Sequence, residues 1–321
     1  MPSALGTAAA TAPGLSRRRL TRRRVGNAVV PYLLLLPVVL VIGATLGYPI
    51  YNLIRLSGQK YDLFALLQHH GTSVGLKNYS SVLHDAVFWH TLLRTVVFTV
   101  VNVGLTLTLG MLMALLFVKV STWVRVLLSA GLVLVWATPP VVAVQIWLWM
   151  TNSQNGILNS FLTDVLHVGD YFQHDWFVTP FSQLAMVTTL VVWGAIPFVT
   201  ITLYAALTQV PRELVEAAEI DGATAWRVFR DITVPVIMPA LLILTSLSII
   251  WDFGVFTQAY LLIGAGHIIP QNYLMGIYLF QEGYVRTDFG RGATISILML
   301  LIVAAMSVVY VRRMVRLGDA T

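Results

Sequence analysis

The sequence predicts an all-α membrane protein with six transmembrane helices. Of its 321 residues, 57% are hydrophobic and only 11% are charged, and the mean hydropathy is +0.79. Soluble domains carry roughly 25% charged residues, so most of the surface of this chain is expected to face lipid. Six apolar runs each supply the ~20 residues that cross a bilayer. These runs are 28–54, 91–119, 126–150, 181–207, 236–263 and 289–311.

The composition also excludes several classes of function. The chain contains no cysteine, which removes disulfides, thiol catalysis and cysteine metal sites. His69 and His70 are adjacent, but no second ligand pair stands at a helical or hairpin spacing, so no metal site is predicted. No GxxxxGK[ST] loop, HExxH motif or Ser/His/Asp set is present. The sequence therefore predicts a chain that is not an enzyme and holds no cofactor of its own.

The N-terminal region is predicted to stay in the cytoplasm. Residues 1–16 show no periodicity and are typical of disorder, and a run of arginines follows from Arg17 to Arg24. Such a run can be a signal peptide, a lipid-binding patch or a topogenic signal. The lack of a small-residue cleavage site and the length of the apolar run favour retention. The predicted divisions are a disordered arginine-rich N-terminus (1–26), a six-helix membrane domain (27–315) and a cytoplasmic tail (316–321).

Positive charges set the predicted topology, because cytoplasmic segments are enriched in lysine and arginine. Both termini and the segment 208–235, which we call the charged segment, are predicted to be cytoplasmic. The loops 56–90 and 151–179 are predicted to be external. The net charge of +6 concentrates in the cytoplasmic segments, so it reports topology and does not indicate nucleic-acid binding. The chain is thus predicted to be a multi-pass protein of the plasma (inner) membrane.

The charged segment is predicted to form two short amphipathic helices. Pro211 suits a first helical position, where its missing N–H would be unpaired in any case. Gly222 can take the backbone angles that turn the chain. Thr224 could cap a second short helix that ends at Arg230, and Pro235 is expected to close the segment and start the next span. Two short amphipathic helices joined by a turn at a membrane surface form a docking element.

The same residues carry a family resemblance. The pattern consists of Glu216-Ala217-Ala218, then Gly222, then Ile232-Thr233-Val234-Pro235. It resembles the EAA loop of bacterial ABC importer permeases. The fuller form, with EAAEIDGA and Phe229, is similar to the carbohydrate-uptake branch that includes maltose and glycerol-phosphate permeases; Val234 replaces the usual leucine. The resemblance implies that the loop enters a cleft on a separate ATPase subunit, through Glu216, Ala217, Ala218, Asp221, Gly222, Phe229 and Pro235.

Two further patterns extend the resemblance over about residues 29–311. One is Gly75-Leu76-Lys77-Asn78-Tyr79 with Phe88-Trp89 and Thr95, where Arg94 replaces the usual asparagine; the other is NGILN at 155–159. The resemblance implies three kinds of partner besides membrane lipid: a second permease subunit, two ATP-binding subunits that hold ATP and Mg, and an extracytoplasmic sugar-binding protein. The excess of arginine over lysine adds a resemblance to mycobacterial-type trehalose permeases.

One carboxylate, Asp252, lies well inside a predicted span, where an ionisable residue is costly and usually functional. Counted from Pro239, Asp252 lies about 20 Å into its span, while Trp193 and Phe198 lie ~22 and ~15 Å from Thr208. Aromatic rings cover the C–H faces of sugars, and a carboxylate bridges neighbouring hydroxyls. By the resemblance, these two helices line the sugar site. The predicted substrate-binding residues are Trp193, Phe198, Ser248, Trp251, Asp252 and Gln258.

Other interpretations of these residues stay open at this point. Trp193 and Phe198 could face lipid or fill helix contacts, and Asp252 could form a structural hydrogen bond to another helix. Asn102 and Gln145 are weaker candidates in other spans. The sequence predicts the permease subunit of an ATP-driven importer for a carbohydrate, a disaccharide such as trehalose or maltose. The alternative is a proton- or sodium-coupled secondary transporter with Asp252 as the ion-carrying carboxylate.

Overall fold

A computed structural model describes residues 32–318. The predicted disordered N-terminus (1–26), its arginine run and residues 319–321 of the predicted tail lie outside the described residues. Within the described part, five helices are long and apolar enough to cross a membrane, and a bent helix pair makes a sixth span if it is counted as one. The prediction of an all-α membrane protein with six spans is confirmed.

The first helix, α1 (Tyr32–Ser57), corresponds to the first apolar run. Its middle contains a π-helical turn at Gly43–Gly47. The helix continues three residues beyond the predicted end of this run.

Nine further helices are numbered in chain order over residues 54–318. They are α2 (Ala86–Lys119), α3 (Thr122–Ala137), α4 (Pro140–Met150), α5 (Pro180–Leu207), α6 (Arg212–Ile220), α7 (Ala225–Phe253), α8 (Thr257–Ile263), α9 (Met275–Phe280) and α10 (Phe289–Gly318). A π-helical turn, Gln281–Val285, extends α9. Shorter helical pieces are Leu63–Leu67, Lys77–Leu83, Ile157–Ser160, Phe161–Val165, Ala265–His267 and Pro270–Asn272. The two strands, Gln59–Lys60 and Thr72–Ser73, pair antiparallel with Gln59 opposite Ser73.

Helices α2 and α5 approach each other closely at a glycine. A Cβ atom added to Gly110 would lie 2.5 Å from Cγ1 of Val199, so only a residue without a side chain fits there. One turn further along α2, Ala114 is fully buried in a cluster with Val199, Leu203 and Leu244. Gly110 and Ala114, four residues apart on α2, therefore permit close contact between the two helices.

Two of the predicted spans are interrupted, which corrects the sequence analysis. The run 126–150 is a helix pair, α3 and α4, bent by 101°. Thr138 is extended between them, because Pro139 disfavours a helical conformation in the residue before it. The run 236–263 is divided as well: α7 ends at Phe253, and α8 begins at Thr257.

The connection 264–288 is held against the adjoining ends of α2 and α5. Nη1 of Arg94 donates to the carbonyl oxygen of Tyr273 at 2.9 Å. Nδ2 of Asn272 donates to Oε1 of Gln183 at 2.7 Å. Both Asn272 and Gln183 are buried. Arg94, which stands where the resembling family usually has asparagine, therefore fixes a connecting segment in place.

Candidate functional site

A cavity of about 470 Å³ opens between α3, α4, α5, α7 and α8. Both interruptions described above contribute to its wall, because each one turns backbone and side chains of a long apolar run toward α5. The lining residues are Val135, Trp136, Thr138, Pro140, Ala143, Leu190, Val191, Trp193, Gly194, Ala195, Phe198, Trp251, Asp252, Gly254, Val255, Phe256, Thr257 and Gln258.

The structure brings five of the six predicted substrate-binding residues to this one cavity. They are Trp193, Phe198, Trp251, Asp252 and Gln258. The sixth, Ser248, is buried at 6% exposure and is not among the lining residues. Ser248 lies one turn, about 6 Å, further from the interruption that opens the cavity, so helical packing covers it.

Three of the aromatic rings of the cavity, those of Trp136, Phe198 and Trp251, form a continuous group centred on Phe198. Its ring stacks on Trp136 with centroids 6.2 Å apart and planes inclined by 19°. Trp251 meets the same ring edge-on at 5.6 Å. The side chains of Trp136 and Trp251 are 57% and 52% exposed, so the cavity is open on their side. Trp193 is half-buried and contacts the ring of Trp147, edge-on at 6.2 Å.

Asp252 is the only ionisable residue between positions 32 and 318 that lines the cavity. It is 5% exposed and is the last residue but one of α7. Its position therefore differs from the predicted one, because the helix ends one residue after Asp252, at Phe253, instead of continuing to residue 263. Over residues 32–318, no side chain or backbone donor forms a hydrogen bond with its carboxylate. A structural tie to another helix is accordingly not observed in that range.

Several lining residues were absent from the sequence prediction. Trp136 and Thr138 come from the α3 side of the bend, while Phe256 and Thr257 follow the break after α7. The adjacent prolines 139 and 140 could have signalled the first of these breaks. The weaker candidates of the sequence analysis lie elsewhere: Asn102 is fully buried and donates to the carbonyl oxygen of Phe98 at 2.7 Å, and Gln145 is exposed.

The turn in the charged segment agrees with the prediction from the sequence. Gly222 has φ +78°, in the left-handed region that favours glycine, and no atom would approach an added Cβ within 4 Å. Oγ1 of Thr224 accepts a hydrogen bond from the backbone N–H of Arg227 at 3.4 Å and so caps the next helix. Pro211, however, occupies the N-cap of α6 and not its first helical position.

The second short helix is not a separate element, which corrects the prediction. Helix α7 begins at Ala225 and continues through a π-helical turn, Phe229–Thr233, to Phe253. Pro235 therefore lies within the helix and does not end it. The wider π-turn accommodates the proline ring, which would otherwise clash with the carbonyl group four residues earlier.

The residues expected to couple to an ATPase lie around this turn. Glu216, Ala217, Asp221, Gly222 and Pro235 are exposed, whereas Ala218 and Phe229 are partly buried. The ring of Phe229 lies 5.7 Å from that of Trp226. A second cavity, of about 570 Å³, separates α6 from the ends of α2 and α5; it is lined by Leu115, Val118, Arg125, Tyr204, Leu207, Thr208, Val210, Arg212, Val215, Glu216, Glu219 and Thr233.

Arg125 supports one wall of this second cavity. Its Nε donates to the carbonyl oxygen of Phe117 at 2.8 Å, and its Nη2 donates to that of Val120 at 3.0 Å. The guanidinium carbon also lies 5.0 Å above the ring of Tyr204. These contacts join the end of α2 to α3 and α5.

Comparison with known proteins decides the family. The model of the family described as "binding-protein-dependent transport system inner membrane component" matches residues 106–317, which is more than half of the chain. The chain belongs to this family. It is a permease subunit of an ABC importer, it is not catalytic, and ATP hydrolysis belongs to a separate subunit. A proton- or sodium-coupled secondary transporter does not agree with this membership.

Curated relatives cover almost all of the permease. The diacetylchitobiose uptake system permease protein DasB of Streptomyces coelicolor is 37% identical over 97% of this chain and 94% of the relative. The trehalose/maltose transport system permease protein MalF of Thermococcus litoralis is 32% identical over 89% of this chain and 94% of the relative. A solved bacterial alginate ABC transporter matches with a TM-score of 0.73 at 16% identity, covering 90% of this chain and 94% of that chain, and supports the fold.

Proposed function

We propose that this permease carries a disaccharide across the membrane, with Asp252 and the aromatic rings of the cavity between α3, α4, α5, α7 and α8 as its binding site. The observation that carries the proposal is the meeting of Trp193, Phe198, Trp251 and Asp252 around one space of about 470 Å³. Ligand cavities in proteins commonly measure about 300–1,000 Å³. The relatives are named for diacetylchitobiose and for trehalose or maltose, and all of these sugars are disaccharides.

The chemistry of the cavity suits a sugar. Phe198 lies between the rings of Trp136 and Trp251 and offers an aromatic surface to the apolar C–H face of a pyranose ring. The carboxylate of Asp252 accepts hydrogen bonds from neighbouring hydroxyls, and the amide of Gln258 both donates and accepts. We assign stacking to the aromatic residues and hydroxyl recognition to Asp252 and Gln258. Ser248 has no direct part, because it does not line the cavity.

Coupling to ATP hydrolysis is assigned to the charged segment. Helix α6 and the turn at Gly222 would enter a cleft on an ATP-binding subunit, with Glu216, Ala217, Ala218, Asp221, Phe229 and Pro235 in or beside the contact. Helix α7 begins just after this turn and carries Asp252 at its other end. Its 29 residues span about 43 Å at ~1.5 Å per residue, so one rigid element links the two sites.

The assembly we propose contains a second permease, two ATP-binding subunits and an external sugar-binding protein. ATP and Mg would bind to the ATP-binding subunits. The charged segment and both termini would face the cytoplasm, and the connections 56–90, 151–179 and 264–288 would face outward. Closure of the ATP-binding subunits would move α6 and α7 together and expose the cavity to the outside; hydrolysis would reverse the movement.

The proposal is tested by uptake into proteoliposomes that contain the complete transporter and internal ATP. We expect ATP-dependent uptake of diacetylchitobiose, trehalose or maltose, and at least a tenfold loss in Trp251→Ala. Asp252→Ala should also lose uptake while basal ATP hydrolysis and assembly are retained. Trp149→Ala is the matched control, because Trp149 is 64% exposed and does not line the cavity. Normal uptake in both cavity variants would refute the site, and uptake driven by an ion gradient without ATP would refute the function.

A further inference from the structure

We propose that the cavity selects its substrate by charge, admitting uncharged disaccharides and rejecting sugars that carry a carboxylate or phosphate. This inference rests on the proposed function, because it specifies the class of sugar that the same site accepts. It follows from the charge of the cavity wall and not from its shape.

Among the residues that the structure describes, the wall of the cavity carries one negative group and no positive one. Of those residues, Asp252 is the only ionisable one in the wall; the other polar side chains, those of Thr138, Thr257 and Gln258, are neutral. Oγ1 of Thr138 donates to the carbonyl oxygen of Leu134 at 2.9 Å, so its proton is not directed at Asp252. No lysine or arginine within the described range forms an ion pair with Asp252. Within residues 32–318, the carboxylate therefore has no compensating cation.

The burial of Asp252 makes this charge effective. The residue is 5% exposed and lines the same cavity as Trp251, Phe198 and Trp193, so water screens it poorly. A sugar hydroxyl can donate a charge-assisted hydrogen bond to the carboxylate. A second anion in the same space would meet uncompensated repulsion. For charges about 5 Å apart in a partly buried site, this repulsion corresponds to at least a tenfold loss of affinity.

The test measures sugar binding directly, so that the external binding protein does not select the ligand first. The complete permease–ATPase assembly, without its binding protein, is titrated at pH 8 with diacetylchitobiose, maltose and maltose 6′-phosphate, and binding is followed by ligand-observed NMR. We expect maltose to bind at least tenfold more tightly than its phosphate. Asp252→Asn should reduce this ratio to about threefold or less, because the amide retains the shape and removes the charge.

Two further variants distinguish an effect of charge from a loss of folding or assembly. Asp252→Glu keeps the charge and should keep the tenfold ratio. Gln258→Glu adds a second carboxylate to the wall and should raise the ratio at least threefold. Asp170→Asn is the matched control, because Asp170 is exposed in the connection 151–179 and its substitution should leave the ratio unchanged.

The outcomes separate this inference from the proposed function. Equal binding of maltose and maltose 6′-phosphate by the wild type, or an unchanged ratio in both Asp252→Asn and Gln258→Glu, overturns the charge selection alone. If neither diacetylchitobiose nor maltose binds, the disaccharide site itself is refuted. A large ratio that disappears only when the charge of Asp252 is removed supports the inference.

Discussion

Arg291 and Glu282 form an ion pair in which Nε of Arg291 lies 2.9 Å from Oε2 of Glu282. Both side chains are largely buried, at 19% and 4% exposure. The pair joins the start of α10 to the π-helical turn after α9. Arg291 also pairs with Asp85, the N-cap residue of α2, and its guanidinium donates to the hydroxyl oxygens of Tyr278 at 3.1 Å and Ser81 at 3.0 Å. One arginine thus connects four parts of the fold.

Removing this arginine should destabilise the protein strongly. Arg291→Met would remove the ion pairs with Glu282 and Asp85 and leave the buried Glu282 with only Arg286, whose side chain is 60% exposed; breaking a buried ion pair from one side costs about 3–5 kcal/mol. We expect a lower thermal unfolding temperature in detergent. The double variant Arg291→Met/Glu282→Gln should recover part of the loss, because the uncompensated charge is then removed. A double variant no more stable than Arg291→Met would contradict this account.

The stability of this region should also depend on pH through Glu282. Burial raises the pKa of Glu282 above its ordinary value, although Arg291 and Arg286 act in the opposite direction. The folded state therefore retains the proton to a higher pH than the unfolded state does. Stability from this residue is fully present below the unfolded pKa and is lost as pH rises through the raised folded pKa. Unfolding temperatures measured across this interval should fall less in Glu282→Gln than in the wild type.

Gly110 offers a test of the contact between α2 and α5. Gly110→Val would place a side chain against Val199, where an added Cβ is already 2.5 Å from Cγ1, and such overpacking costs about 1–3 kcal/mol. Gly104→Val is the matched control, because Gly104 lies in the same helix with no atom within 4 Å of an added Cβ. Thermal unfolding should separate the two variants. Equal losses would show that the close approach is not the cause.

Gly222 should be required for coupling and not for membrane insertion. Its φ of +78° strains any β-branched residue, so Gly222→Val should distort the turn between α6 and α7. We expect normal expression in the membrane, at least a tenfold loss of uptake and weaker co-purification with the ATP-binding subunit. Gly222→Asn, which tolerates the left-handed region better, should retain more activity. Normal uptake by the valine variant would exclude the docking role.

The topology can be tested directly because the chain has no native cysteine. A cysteine replacing Trp226, which lies within the charged segment and is 69% exposed, should react with an impermeant thiol reagent only when the cytoplasmic side is accessible. A cysteine replacing Phe172, which is 77% exposed in the connection 151–179, should react from outside in intact cells. Labelling of the cysteine at position 226 from outside would contradict the proposed orientation.

The sequence by itself determined the features that depend on one segment at a time. Six apolar runs of sufficient length predict membrane spans, because the bilayer demands about 20 apolar residues wherever the chain crosses it. The pattern from Glu216 to Pro235 indicated the family, and Gly222 indicated the turn, since few other residues adopt a positive φ. Matching depths along two helices were enough to group Trp193, Phe198 and Asp252, which line one cavity in the structure.

The tertiary structure alone decided how the interrupted runs meet. Hydropathy is nearly uniform through 126–150 and 236–263, so it does not report the bend before Pro140 or the break after Phe253. Those interruptions bring Trp136 and Thr257 into the cavity and leave Ser248 outside it. The sequence also does not indicate the Arg291–Glu282 pair, because the placement of Arg291 beside both Glu282 and Asp85 depends on where α2 and α10 come together. Helix periodicity describes which face of a helix is apolar, whereas contacts between distant helices depend on their crossing angles and relative depth.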